Sequence, residues 1–180
     1  MTQAPAPPFL RALTAADAEW VIARHAAHYA QEDGFDSSFE ALVARVVSQF
    51  LKADAPASHD RAWIAEAADG QRAGSIFCVR HDENTAKVRL FYIEPAWRGT
   101  GLGRRMLSRC LEHAGQAGFA RMTIWTHASH RAAGRLYARA GFRKIAARPV
   151  RNFGRDLVEE TWTTPLGPSQ AGLASEGRQD

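Results

Sequence analysis

The chain has 180 residues, a formal net charge of +4 and an apolar share of 46%, which suffices for one substantial core and is short for two. No apolar run approaches the roughly 20 residues of a membrane helix, and the Ala/Pro-rich start Met1–Pro8 lacks the basic and apolar segments of a signal peptide. A soluble, cytoplasmic protein is expected, with no membrane partner. Cys78 and Cys110 show neither Cys-x-x-Cys nor His/Cys ligand spacing, so two buried thiols are expected and no disulfide framework or metal site. Lys52, Lys87 and Lys144 are the only lysines among many arginines, a bias that suits an anionic ligand and that biased codon usage also produces. No basic run carries interleaved aromatics, so nucleic acid is not an expected partner.

Residues 9–13 form a short apolar run after a start, 1–8, expected to be disordered. Thr14 with Asp17 reads as a helix start, and Trp20, Val21, Ala23, Ala27 and Ala30 suit an amphipathic helix from Ala15 to about Gln31, broken by Gly34. A second helix is expected from Ser37 to Lys52, with Phe39, Leu42, Val43, Val46, Val47 and Phe50 on its core face. A loop follows over 53–60. Strands are then expected over Ala62–Ala67, Ala73–Arg80 and Lys87–Ile93, joined by turns at Ala68–Gly70 and His81–Thr85. Glu94-Pro95 ends the third strand, and Leu102, Met106, Leu107, Cys110 and Leu111 give helical spacing from Gly101 to Ala117, closed by Gly118. Arg121–Thr126 reads as a buried strand, Ser129–Ala140 as a helix, and Gly141-Phe142 opens a last pair of strands. Trp63, Trp97, Trp125 and Trp162 read as sheet packing. The tail 167–180 is expected to be disordered. The order implies an α+β domain over 9–166, a mixed sheet covered by helices.

The most informative stretch runs from the strand Val88–Ile93 through Glu94-Pro95 into Arg98-Gly99-Thr100-Gly101-Leu102-Gly103 and directly into a helix. The first N–H groups of a helix lack internal acceptors and its dipole favours negative charge, so this is a candidate anion site. Glycines let main chain approach phosphate oxygens, and Arg98, Arg104 and Arg105 can add charge-assisted hydrogen bonds. No Gly-Lys-Ser/Thr follows, and no glycine completes G-x-G-x-x-G, so the nucleotide-binding patterns of that kind fit poorly.

Arg98-x-x-Gly101-x-Gly103 after a strand resembles the pyrophosphate loop of the GCN5-related N-acetyltransferase (GNAT) family. A second motif, Leu136-Tyr137-Ala138-Arg139-Ala140-Gly141-Phe142, resembles that family's Leu-Tyr-x-x-x-Gly-Phe in the matching order. The resemblance spans about 9–166 and is closer still to the acetyltransferase halves that some bacterial proteins carry fused to a MarR-type regulator. It rests there on His28-Tyr29-Ala30-Gln31-Glu32-Asp33-Gly34 and Asn152-Phe153-Gly154-Arg155-Asp156-Leu157. No helix-turn-helix is read before residue 9, so direct DNA binding is not expected.

The resemblance implies a GNAT-like, mostly antiparallel twisted sheet and acetyl transfer from acetyl-CoA to an amine acceptor in a ternary complex. It implies pantetheine on the main chain of Tyr92 and Ile93, and pyrophosphate on Arg98, Gly99, Thr100, Gly101, Leu102, Gly103 and Arg104. Tyr137 falls on the general acid, and His130 stands where the family often has an Asn that meets the CoA arm; Thr126 or His127 is an alternative. For the general base the family's frequent glutamate position holds Lys87, which is not expected to serve. Glu94 is either the base or a structural acid at the strand end. His28, Tyr29 and Glu32 are candidates for the acceptor pocket. Arg131, Arg135 and Arg139 share one helix face and either meet the CoA 3′-phosphate or sit in water. The family allows a homodimer. A non-catalytic acyl-CoA sensor is the competing reading.

Overall fold

The computed structural model describes residues 6–53 and 59–167. Residues 1–5, 54–58 and 168–180, and with them most of the ends expected to be disordered and the middle of the expected loop 53–60, lie outside the described residues. The order is β1 (Phe9–Ala12), α1 (Ala18–Asp33), α2 (Ser37–Lys52), β2 (Arg61–Glu66), β3 (Arg72–Arg80), β4 (Thr85–Ile93), α3 (Leu102–Gln116), β5 (Arg121–His127), α4 (Arg131–Arg139), β6 (Arg143–Asn152) and β7 (Arg155–Pro165). The apolar run 9–13 thus supplies an edge strand. The seven strands form one sheet in the order β1-β2-β3-β4-β5-β7-β6. The β4–β5 pair is parallel and the other pairs are antiparallel, the mixed, mostly antiparallel sheet expected.

Two cores lie on opposite faces of the sheet. Alternation along β2 sends Trp63 and Ala65 to one, with Leu102, Met106, Leu107 and Cys110 of α3 and Tyr137 of α4. The same alternation sends Ala62 and Ile64 to the other, with Val21 of α1 and Val43 and Val47 of α2. The core faces expected for α2 and α3 are those that pack.

The face expected for α1 packs only at Trp20 and Val21. Ala23, Ala27 and Ala30 are exposed, and the helix turns Val21 and His25 inward. Alanine is a weak marker of burial, and an i, i+4 row through Val21, His25 and Tyr29 meets the sheet instead. Trp125 also departs from expectation, at 46% exposed.

The start of α1 is fixed by a buried carboxylate. Asp17, 0% exposed, accepts from Arg11 at 2.8 and 2.9 Å, from Arg72 at 2.7 Å and from the Thr14 amide at 2.8 Å. Burial alone would raise its pKa, but these hydrogen bonds outweigh burial and hold it well below the ordinary carboxylate range.

Candidate active site

The β4–β5 ladder ends at Val88↔Ile124, although β4 continues to Ile93 and β5 to His127. From Arg89 onward β4 has no strand partner on that side among the described residues, and that edge faces an opening. On the other side β4 stays paired with β3 through a bulge between Arg89 and Tyr92. Leu90 sits there at φ 45°, and its carbonyl accepts the Ser75 hydroxyl at 3.0 Å. A bulge bends its strand and sharpens the local twist, which turns β4 away from β5.

The glycine loop closes one end of the opening. Gly99 and Gly101 have φ of 76° and 88°, and a Cβ built on either meets nothing within 4 Å. Left-handed backbone requires glycine at both, and the space above stays free for a ligand. Gly103 has a different reason: a Cβ there would lie 3.0 Å from Ile93 Cδ1 and 3.2 Å from Leu136 Cδ2, so its absence lets α3 pack against β4 and α4. Thr100 Oγ1 donates to the Trp97 carbonyl at 2.8 Å and pins the loop. Leu102 is buried and anchors the helix start. The first intrahelical bond of α3 runs from the Arg105 amide to the Gly101 carbonyl at 3.2 Å, leaving the Leu102, Gly103 and Arg104 amides without helical acceptors.

Two of the three arginines expected at this loop are occupied elsewhere. Arg98 donates from Nε to the Ile93 carbonyl at 2.9 Å, with Nη2 3.5 Å from His28 Nε2. Arg105 donates to the Pro8 carbonyl at 2.9 Å. Arg104 is exposed at the helix start.

Across the opening, α1 presents a polar and aromatic surface. Arg24 grips Glu94 with Nε and Nη2 at 2.6 and 2.7 Å, and the Tyr92 hydroxyl donates to the same carboxylate at 3.1 Å. The His28 ring lies 5.2 Å from Tyr29 and 5.3 Å from Tyr92, and burial, then Arg98, lowers its pKa. Tyr29 packs on Phe39, Phe35 and His130 at 4.7, 5.6 and 5.6 Å, and burial pushes its phenol up to about 12. Glu32 is exposed, and its charge acts on His28. Its neighbour Asp33 reaches in instead, to His130 Nε2 at 3.0 and 3.1 Å. The β6–β7 turn docks beside them, with Phe153 at φ 54° held by Phe35 and Phe39 at 4.9 and 5.0 Å and by the Asp36 amide on its carbonyl at 3.1 Å. Those contacts offset the strain of a left-handed aromatic residue.

Residues 26–142, which hold the opened strands, the glycine loop and most of the polar surface, match the model of the acetyltransferase (GNAT) family. The chain belongs to the GNAT family. An uncharacterized N-acetyltransferase of Mycobacterium bovis is 26% identical over 91 residues, 51% of this chain and 58% of that protein. A mycothiol acetyltransferase of Saccharomonospora viridis is 33% identical over 90 residues, 50% of this chain and 27% of that protein. The chain therefore aligns with less than two thirds of the length of these curated relatives. Among solved structures, a GNAT-family acetyltransferase from Staphylococcus aureus superposes with a TM-score of 0.73 at 16% identity, over 88% of this chain and 99% of that one. A Salmonella typhimurium protein described as an acetyltransferase with its cofactor acetyl-CoA gives 0.68 at 21% identity, over 94% and 99%. Both share the fold.

Within this GNAT fold Tyr137 lies 5% exposed on α4, and burial pushes its phenol far above the ordinary value. One further group, His25, emerged only from the structure. His25 is 2% exposed; its Nδ1 lies 2.7 Å from the Val21 carbonyl and so carries the hydrogen, while Nε2 is buried without a hydrogen-bond partner among the described residues. Burial lowers its pKa to about 4. The signal available in the sequence was its spacing of four from both Val21 and Tyr29. Lys87 is 9% exposed, its ammonium 2.8 Å from the centroid of the Trp125 ring, and burial, then Arg89, lowers it to about 7. Burial thus favours the neutral amine of this lysine. Among the described residues no group of three or more His, Cys, Asp or Glu could hold a metal ion, and no helix is long and apolar enough to cross a membrane.

Proposed function

We propose that this GNAT domain, spanning about residues 9–166, is an N-acetyltransferase that moves the acetyl group of acetyl-CoA to an amine by direct attack in a ternary complex. The observation that carries the reading is the parting of β4 from β5 beside a glycine loop whose two left-handed positions leave open space over a helix start. The β5-facing edge of β4 at Tyr92 and Ile93, where Arg98 already meets the Ile93 carbonyl, suits the amide-bearing arm of CoA, and the amides from Gly99 to Arg104 suit its pyrophosphate. Gly103, Thr100 and Leu102 serve by shaping that loop, and Arg98 by bracing the end of β4 next to His28.

Tyr137 is assigned as the proton donor to the departing thiolate, since burial keeps the phenol protonated at neutral pH. Glu94 is reassigned. Its carboxylate is clamped on both oxygens by Arg24 and accepts from Tyr92 as well, so it holds these side chains in place and is already engaged in an ion pair. His28 and Tyr29 line the acceptor side, with Asp33 in the place expected for Glu32. The kinship with acetyltransferase halves of MarR-type fusions, a cytoplasmic setting, a homodimer and an absence of nucleic-acid binding belong to this same proposal.

Calorimetric titration of acetyl-CoA into the wild type and Gly101→Glu, followed by thiol release over an amine panel, tests it. Binding lost in the variant and turnover in the wild type are expected. Binding without turnover of any amine transfers the reading to an acyl-CoA sensor, and no binding at all removes both.

A further inference from the structure

Asp33 ends α1 and His130 precedes α4, 97 residues apart, yet both carboxylate oxygens stand 3.0 and 3.1 Å from His130 Nε2. The pair is sheltered, with side chains 11% and 22% exposed. An ionised carboxylate only accepts, so Nε2 carries the hydrogen, and in the neutral ring Nδ1 keeps the lone pair. That nitrogen lies 3.5 Å from Thr126 Oγ1, on the part of β5 beyond its last pairing with β4 at Ile124. Tyr29 at 5.6 Å and His127 at 5.4 Å, each edge-on, hold the ring. The groups facing it are thus Asp33, Tyr29 and, more distantly, His28 from α1, and His127 from β5. An oriented imidazole whose second nitrogen meets only the Thr126 hydroxyl, at the long distance of 3.5 Å, has what proton acceptance needs. Glu94 lacks it because Arg24 clamps its carboxylate, and His25 because its free nitrogen is sealed inside.

We infer that His130, held by Asp33, takes the proton of the acceptor amine, a role that rests on the acetyltransferase reading above. The amine nitrogen bonds to the thioester carbonyl carbon and yields one proton to Nδ1 as the carbon–sulfur bond breaks. Tyr137 gives its hydroxyl proton to the departing thiolate, and the proton on His130 returns to Tyr137 through solvent, leaving an amide and a free thiol. Asp33 is a positioning residue that fixes the tautomer and stabilises the transient imidazolium.

The test uses the full chain as wild type, His130→Asn, His130→Gln and Asp33→Asn. Acetyl-CoA affinity is read by calorimetry, kcat and KM by thiol release, folding by thermal melting, and the His130 tautomer by nitrogen NMR. The acceptors are a short alkylamine, an amino acid amide, a polyamine and a lysine peptide. Expected are acetyl-CoA affinities within about threefold of wild type, kcat lower by about a hundredfold or more in the folded His130 variants with KM little changed, and a smaller kcat loss in Asp33→Asn. The wild-type spectrum is expected to show hydrogen on Nε2 and a bare Nδ1. A His130 variant that folds and keeps its kcat, a change confined to KM, or hydrogen on Nδ1 in the wild type overturns the inference. A wild type that binds acetyl-CoA and acetylates none of the four amines overturns it too, whereas one that does not bind acetyl-CoA removes the acetyltransferase reading itself. The Gln variant decides the matter where the Asn variant melts early.

Discussion

On the glycine-loop side of the opening, ligand capacity resides in main chain: two left-handed glycines, three helix-start amides and an unpaired strand edge. On the α1 side it resides in side chains brought together over long separations. Asp33 meets His130 across 97 residues, and Arg24 meets Glu94 and Arg98 approaches His28 across 70 each. The first side is a local property of a short segment and tolerates change outside it. The second depends on α1 being set at the right place and angle, so distant substitutions reach it.

The largest effect expected from this contrast is at Asp17. Asp17→Ala leaves Arg11 and Arg72 without their shared buried partner at the root of α1, and urea unfolding should show a loss of about 3–5 kcal/mol. A loss below about 1 kcal/mol would mean that α1 is anchored by its apolar face alone. Next is His25, which stays neutral in the fold. The unfolded chain binds a proton near its ordinary 6.5 and the native chain only near 4, so stability is full above 6.5 and falls as pH drops toward 4, by about 3 kcal/mol. His25→Gln should flatten that slope, and an unchanged slope would assign the acid sensitivity to other groups.

On the opposite side, Gly101→Glu should weaken acetyl-CoA by about a hundredfold, near 2.7 kcal/mol, with the melting temperature reporting only the strain of a side chain at positive φ. Wild-type affinity in that variant would falsify the main-chain account of the loop. Lys87→Met should raise stability at neutral pH by about 1–2 kcal/mol, because it removes a buried amine that has no carboxylate partner among the described ion pairs. The smallest change is expected for Glu94→Gln, whose kcat should stay within about tenfold of wild type if the carboxylate only braces Arg24 and Tyr92. A loss near the hundredfold expected of a base would return Glu94 to that role.

Legible in the chain alone were the strand-loop-helix segment 88–116, the order of the helices and of strands β2 to β7, and the inward faces of α2 and α3. In each of these, a short-range rule applies: alternation, helical spacing, or glycine where the backbone must turn left-handed. It also marked Gly99, Gly101 and Gly103 together, although the first two answer to backbone conformation and the third to contact with Ile93 and Leu136. It took packing to show that α1 turns His25 inward instead of its alanines, that Arg98 and Arg105 bind carbonyls, that Glu94 is clamped, and that Asp33 rather than Glu32 reaches His130. Those outcomes depend on which partners the fold brings within hydrogen-bond reach, and residues 70 or 97 apart carry no mark of one another in the chain until packing sets them side by side.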